Sequence, residues 1–281
     1  MGDRPGSSSP EQIRPIICDW NWMNILQKII GVKAREVMEK KKHTSLYELE
    51  KRPFPEMRDF KGALQTSGLS VIAEIKRMSP SEGLIREDFN PDAIAIIYQE
   101  NGASAISALT DSGFFGGSDE YPIIIKNAVD LPVLRKEFII DPYQILESRV
   151  LGADAILLIA SVLDASELSD FIQQTSELGM DCLIEVHNAD ELDCALKTGA
   201  SIVGINNRNL KTFEVSLDTS IDIKSRIPDE IVTVSESGIH THADMIRLEE
   251  VGFNAVLVGT SLMRSDDIGQ KLRDLTGTEG S

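Results

Sequence analysis

From residue 70 onward the chain alternates between short aliphatic runs and longer amphipathic stretches. The runs are VIAEIK (71–76), SAISALT (104–110), LPVLRK (131–136), DAILLIA (154–160), DCLIEV (181–186), SIVGIN (201–206), IVTVSE (231–236) and NAVLVG (254–259). Within them Val, Ile and Leu mostly follow one another without polar alternation. That pattern marks strands covered on both faces, as in a parallel sheet. Segments with helical spacing lie between them, over 92–100, 119–128, 143–151, 165–178, 189–197, 218–225 and 243–250, with a last one near Gln270. Gly102, Gly152, Gly199 and Gly252 recur where a helix closes and a strand opens, a place that suits a left-handed cap. Eight such units predict an α/β chain folded as a (β/α)8 TIM barrel. An open doubly wound sheet is the competing architecture, but no GxGxxG loop is present to support it.

The first 70 residues have a different pattern. MGDRPGSSSPEQ is small and polar, and residues 1–20 are expected to form a disordered leader. Between Met23 and Lys42, Ile25, Ile29 and Val32 recur at helical spacing, as do Leu26, Ile30 and Val37. Lys40, Lys41, Lys42 and His43 suit a helix C-terminus. A short helix is expected over 46–51, a stop at Pro53 and Pro55, and another short helix over 59–65. Residues 21–70 therefore predict a helical extension packed on a barrel of residues 71–275.

Charge narrows the partners. Forty-five acidic residues against 28 basic give a net charge of −17, which repels nucleic acid and anionic lipid. An anionic substrate then needs basic groups gathered locally. Aromatic residues are 5% of the chain, so aliphatic side chains must fill the core. Cys18, Cys182 and Cys194 are odd in number and lack metal-ligand spacing, so free thiols in a reducing compartment are expected. No apolar run is long enough for a membrane span, and the N-terminus lacks a signal-peptide core. A cytoplasmic location is expected.

The candidate chemistry sits at the ends of the runs. Glu74 with Lys76, then Lys136, Glu185, Asn206 and Glu236, each close an apolar run with a polar side chain. Glu74 and Lys76 share a strand face, and equal parity points Glu185, Asn206 and Glu236 the same way as Leu183, Gly204 and Val234. In a barrel these positions meet at the mouth that carries active sites. Buried ion pairs that only fix register, such as Glu74 with Lys136, are the structural alternative. Crowding by a second cation and partial burial predict a lowered pKa for the lysines.

Ser237-Gly238 and Gly259-Thr260 follow the last two runs, the usual phosphate-binding loops of barrels, with Arg208 as a third contact. Phe114-Phe115-Gly116-Gly117-Ser118 either walls a pocket for an aromatic ring or plugs a loop. His43, His187, His240 and His242 lack helical metal spacing, and no metal site is expected.

The strings ILQKIIGVKAREV, VIAEIKRMSPSEG, LTDSGFFGGS, PVLRKEFIIDPYQI, GADAILLIA, EVHNADEL, GINNRNLKTFEV, VSESGI and AVLVGTSLM resemble the indole-3-glycerol-phosphate synthase family of tryptophan biosynthesis. The resemblance implies a carboxyphenylamino-deoxyribulose 5-phosphate substrate and a cofactor-free ring closure with loss of carbon dioxide and water. It implies Lys136 as the general acid on the ketone, and Lys76 as holder of the carboxylate and second acid. Glu185 would steady the iminium charge or accept a proton. Glu74 would assist dehydration, with Asn206 and Glu236 orienting. It implies a phosphate cradle of Ser237, Gly238, Gly259 and Thr260 with Ser79 and Arg208, and a ring wall of Phe115, Phe138 and Leu157. Met78 and Glu82 depart from the family pattern, which has a small and a basic residue there; an acidic Glu82 would weaken attraction of a dianion.

The rival readings are phosphoribosylanthranilate isomerase, whose first strand ends in a cysteine base absent here; a Schiff-base aldolase using Lys136; and a non-catalytic phosphate binder or a subunit working with anthranilate synthase. A monomer is expected, with association with other tryptophan-pathway enzymes as the alternative.

Overall fold

In the computed structural model, residues 25–210 and 212–278 are described. Eight parallel strands close on themselves: β1 (Ser70–Ile75), β2 (Ala105–Leu109), β3 (Val133–Lys136), β4 (Ala155–Ile159), β5 (Asp181–Val186), β6 (Ile202–Asn206), β7 (Val232–Glu236) and β8 (Ala255–Val258). Each pairs with its neighbours in sequence, and β1 seals the ring against β8 from Ser70↔Ala255 to Ala73↔Val258. The fold is a (β/α)8 barrel. Helices Pro91–Glu100, Tyr121–Ala128, Pro142–Val150, Ala165–Glu177, Ala189–Lys197, Asp218–Lys224, His242–Glu250 and Ile268–Thr276 follow the successive strands.

Local chemistry sets these boundaries. The Asp164 side chain accepts from Glu167 N while Glu167 returns a bond to Asp164 N, a capping box; Thr241 and Asp244 repeat it. Gly102, Gly152, Gly199 and Gly252 all hold φ between 84° and 89°, so the recurrent glycine does end each of those helices in the left-handed region. Asp119, expected inside a helix, lies before it, and its carboxylate is bound to Lys40 and Arg135 instead.

Two apolar layers result from strand parity. Outward residues such as Val71, Ile106, Ile156, Ile184 and Val203 pack under the helices. Inward residues Ile72, Ala105, Leu134, Ala155, Leu157, Leu183, Ile202, Val234 and Leu257 fill the barrel. Phe60 and Leu64, fully buried, join this inner cluster from the helical lead and close the N-terminal end of the barrel.

The lead consists of helices Ile25–His43, Leu46–Glu50 and Phe60–Ala63; the expected start at Met23 and the leader 1–20 lie outside the described residues. Its first helix is tied to the barrel by charge. Lys33 is buried and pairs with Glu36 at 2.6 Å and with Asp111 and Glu137 at 3.0 Å each. Lys40 reaches Asp119 at 2.5 Å and Glu147 at 2.8 Å, both of which also hold the fully buried Arg135. Buried charges of this kind need partners, and the network supplies them. Three small elements are additional to the sequence pattern: a hairpin of Met78–Ser79 with Gly83–Leu84, and the one-turn helices Ser112–Phe115 and Thr260–Met263. Each is too short to show a period.

Candidate active site

A cavity of about 400 Å³ opens at the C-terminal end of the barrel. Glu74, Lys76, Ser79, Phe115, Lys136, Phe138, Leu157, Glu185, Asn206, Arg208, Glu236, Ser237, Gly238, Gly259 and Thr260 all line it, so the strand tips singled out from the sequence meet in one place. The charged groups form two sets. Lys76 Nζ lies 2.5 Å from Glu74 Oε2. Lys136 Nζ lies 3.0 Å from Glu185 Oε2 and 2.5 Å from Glu236 Oε2. The register places Asn206 opposite Glu236 and Glu185 opposite Gly204. A Glu74–Lys136 pair is not the arrangement; Glu74 turns to Lys76 on its own strand.

Two glycines make this packing possible. A Cβ on Gly204 would stand 2.2 Å from Glu236 Oε1, and one on Gly259 would stand 2.1 Å from Glu74 Oε2. The carboxylates therefore occupy the space a larger residue would fill. Glu236 and Glu74 are almost wholly buried there.

The electrostatics correct the expectation for Lys136. Burial pulls its pKa down, but Glu185, Glu236 and Glu74 together outweigh burial and hold it above the ordinary lysine value. The sequence pattern counted a second cation; the register surrounds Lys136 with carboxylates. Lys136 thus starts as a firmly charged ammonium, a proton donor in waiting. Burial acts on Glu185 in the opposite sense to its neighbours, and the Lys136 charge and His187 win, holding its carboxyl well below the usual range. Glu236 goes the other way: burial first, then Glu185 and Glu74, push it up to about 7 against the pull of Lys136. Two carboxylates on one ammonium cannot both ionise freely, and the pair splits.

Directly after Glu236, Ser237 and Gly238 take φ of 68° and 84°. A serine in the left-handed region is unusual, and consecutive residues of this kind turn backbone N–H groups into an anion-binding concavity. Ser237 Oγ donates to Asn206 Oδ1 at 3.0 Å, which also accepts from Arg208 N at 3.0 Å. Arg208 itself donates to Phe213 O at 3.3 Å. Phe115 and Phe138 stand with ring centroids 6.0 Å apart, tilted by 38°, beside Leu157. Of the Phe-Phe-Gly-Gly segment, Phe115 lines the cavity, while Phe114, Gly116 and Gly117 do not. Its turn is held by Asp111, whose side chain caps Ser112–Phe115.

Several lining groups escaped the sequence reading. Ile25, Leu26 and Ile29 reach the cavity from the leading helix, and Leu210, Phe213 and Val215 from the loop after β6. Their apolarity was visible, but nothing local says which distant helix or loop covers a mouth. Glu82 forms an ion pair with Arg264 at the rim of the cavity, joining the loop after β1 to the segment after the neighbouring β8. His187, considered only for metal binding, sits 3.3 Å from Glu185 and 3.0 Å from Glu191. Among the described residues no group of three or more His, Cys, Asp or Glu is placed to hold a metal ion.

A closed barrel with acids and ammonium groups gathered in a cavity at its C-terminal mouth is the arrangement of a substrate-binding enzyme. The comparisons identify which. Residues 26–275 match the sequence model of indole-3-glycerol phosphate synthase, and the chain belongs to that family. It is 48% identical over 254 residues to the indole-3-glycerol phosphate synthase of Alkaliphilus metalliredigens, covering 89% of this chain and 97% of the relative. It is 48% identical over 253 residues to that of Legionella pneumophila, covering 90% and 98%. Among solved structures, N-acetylmannosamine-6-phosphate 2-epimerase from Clostridium perfringens superposes with a TM-score of 0.59 at 16% identity, over 79% of this chain and 99% of the other. A mutant tryptophan synthase alpha-subunit from Pyrococcus furiosus gives 0.56 at 16%, over 74% and 98%. These two share the fold.

Proposed function

We propose that the chain converts 1-(2-carboxyphenylamino)-1-deoxyribulose 5-phosphate into indole-3-glycerol phosphate, with Lys136 as the acid that starts the ring closure. The observation that supports this is Lys136 held charged by Glu185 and Glu236 in the cavity that also contains Lys76, the aromatic wall and the nest. The ring of the substrate lies against Phe115, Phe138 and Leu157, its carboxylate faces Lys76, and its phosphate meets Ser237, Gly238, Gly259 and Thr260, with Ser79 and Arg208 beside it. As the carboxylate-bearing ring carbon attacks the ketone, Lys136 gives its proton to the carbonyl oxygen. A carbon–carbon bond forms and the oxygen becomes a hydroxyl. The carboxylate then leaves as carbon dioxide and the ring regains aromaticity. In the dehydration, the Lys76–Glu74 pair protonates the departing hydroxyl, and Glu185 takes the carbon-bound proton that is lost. Asn206 and Glu236 orient these groups.

The balance requires one solvent proton per turnover, because an anionic carboxylate leaves as neutral carbon dioxide. The conversion is redox-neutral and calls for no electron carrier. A positioned acid contributes about 10²–10⁴-fold. Lys136→Ala is therefore expected to abolish the rise of indole absorbance while leaving ligand binding measurable. Normal turnover by that variant would remove Lys136 from the scheme. The proposal extends to a monomer acting in the cytoplasm; no described helix is long and apolar enough to cross a membrane, and sedimentation of the purified chain tests the monomer.

A further inference from the structure

The loop after β5 carries a third charged set, which the scheme above leaves unused. His187 follows Glu185 by two residues and leans back over it. Its Nε2 lies 3.3 Å from Glu185 Oε1, the oxygen that Lys136 does not take. That nitrogen is buried and makes no hydrogen bond of good geometry. The other face of the ring is fixed twice by one residue: Glu191 Oε2 is 3.0 Å from Nδ1 and accepts from the His187 backbone N–H at 2.8 Å. Glu191 is itself held by Asn188, which donates to it at 2.7 Å and caps the helix it sits on. The order is thus Glu191, His187, Glu185, Lys136, a carboxylate between two cations with a second carboxylate anchoring the outer one. His187 also lines a second, adjoining cavity of about 890 Å³ with Ser161, Glu191, Arg208 and Glu214, and Arg208 and Asn206 border both this space and the substrate's.

We propose that His187 is a positioning residue for the ring closure: as an imidazolium anchored by Glu191, it aims Glu185 at Lys136 and keeps it ionised to receive the proton of the dehydration step. This rests on the reaction proposed above. A neutral side chain at 187 would leave Glu185 with one cation in place of two. An opposite charge at this range moves a carboxyl by about 1–3 pKa units. The groups facing His187 are Glu185 from β5 and Glu191 from the following helix, with Arg208 and Glu214 across the cavity; both direct contacts are carboxylates, so the ring stays charged. Its pKa is raised to about 10 by those two partners against the pull of burial.

The test compares the full chain with His187→Gln, His187→Lys and Glu191→Gln, following kcat and KM on the ketose phosphate across pH. His187→Gln should move the acid limb of the kcat profile up by about one pH unit with KM little changed. His187→Lys, which keeps a cation, should return the limb most of the way. Glu191→Gln should shift it in the same direction by less. A limb that stays in place in both neutral variants, with thermal unfolding showing them folded, overturns the proposal; so does a shift that His187→Lys leaves uncorrected. Failure of the unaltered chain to turn over this substrate would instead reject the reaction itself.

Discussion

Gly204 offers a direct test of how the site is packed. Its backbone is in an ordinary region, so alanine carries no conformational penalty there; the conflict is steric. The new Cβ would lie 2.2 Å from Glu236 Oε1 and 3.2 Å from Leu183 Cδ1. Carbon and oxygen do not approach within 3.0 Å, so the carboxylate must retreat by at least about 0.8 Å. Leu183 is fully buried behind it, which leaves Glu236 as the group that moves. Its Oε2 sits 2.5 Å from Lys136 Nζ, and a retreat of that size away from the lysine stretches the contact to about 3.3 Å, a weakened charge-assisted bond. A whole charge-assisted bond contributes about 1.5–3 kcal/mol of stability, and stretching it forfeits part of that. A misplacement near 1 Å in a catalytic array costs about 10²-fold in rate. Gly204→Ala should therefore lower kcat by about 10²-fold, read from indole absorbance, with a smaller change in KM. Thermal unfolding should show a modest loss. Wild-type kcat in this variant would show that Glu236 can leave Lys136 without consequence and would refute the argument.

Two further outcomes follow from the same geometry. Glu82 and Arg264 pair at the rim of the mouth, and Arg264 is more than half exposed, so their pair contributes at most about 1 kcal/mol. Glu82→Lys frees Arg264 and replaces a negative rim charge with a positive one; KM for the phosphate substrate should fall by about fivefold at low ionic strength, and the gain should shrink with added salt, so a salt-independent KM would count against it. Glu236, raised from 4.5 to about 7, binds its proton more tightly folded than unfolded. Stability of the ligand-free protein should therefore fall as pH rises from 4.5 towards 7. Glu236→Gln should flatten that part of the melting-temperature profile, and an unchanged slope would place the titration elsewhere.

Much of this was legible in the chain. The strands show because both faces are covered, which leaves runs such as AILLI with almost no polar interruption. The helices announce themselves through their apolar spacing and the left-handed glycines at their ends, whereas the caps at Asp164, Asn188 and Thr241 are seen only in the structure. The acids and ammonium groups show because a charge after an aliphatic run has few structural uses. What stayed hidden depends on contacts between distant segments. Lys33 in the leading helix gives no sign that Asp111 and Glu137 await it. The direction of the Lys136 shift depends on register, which brings Glu236 closer than any cation. His187 carried a signal that went unused: it shares the parity of Glu185, with Glu191 one helical turn ahead. A search for metal spacing asks the wrong question of such a residue.

The sealed floor of the barrel has a consequence for traffic. Phe60 and Leu64 leave no passage along the axis, so the ketose phosphate, the liberated gas and the finished heterocycle all use the upper opening. At the edge of that opening lie the Glu82–Arg264 pair and the apolar side chains of Leu210, Phe213 and Val215. A shared doorway means that the entering dianion and both departing products pass the same rim charges and apolar side chains.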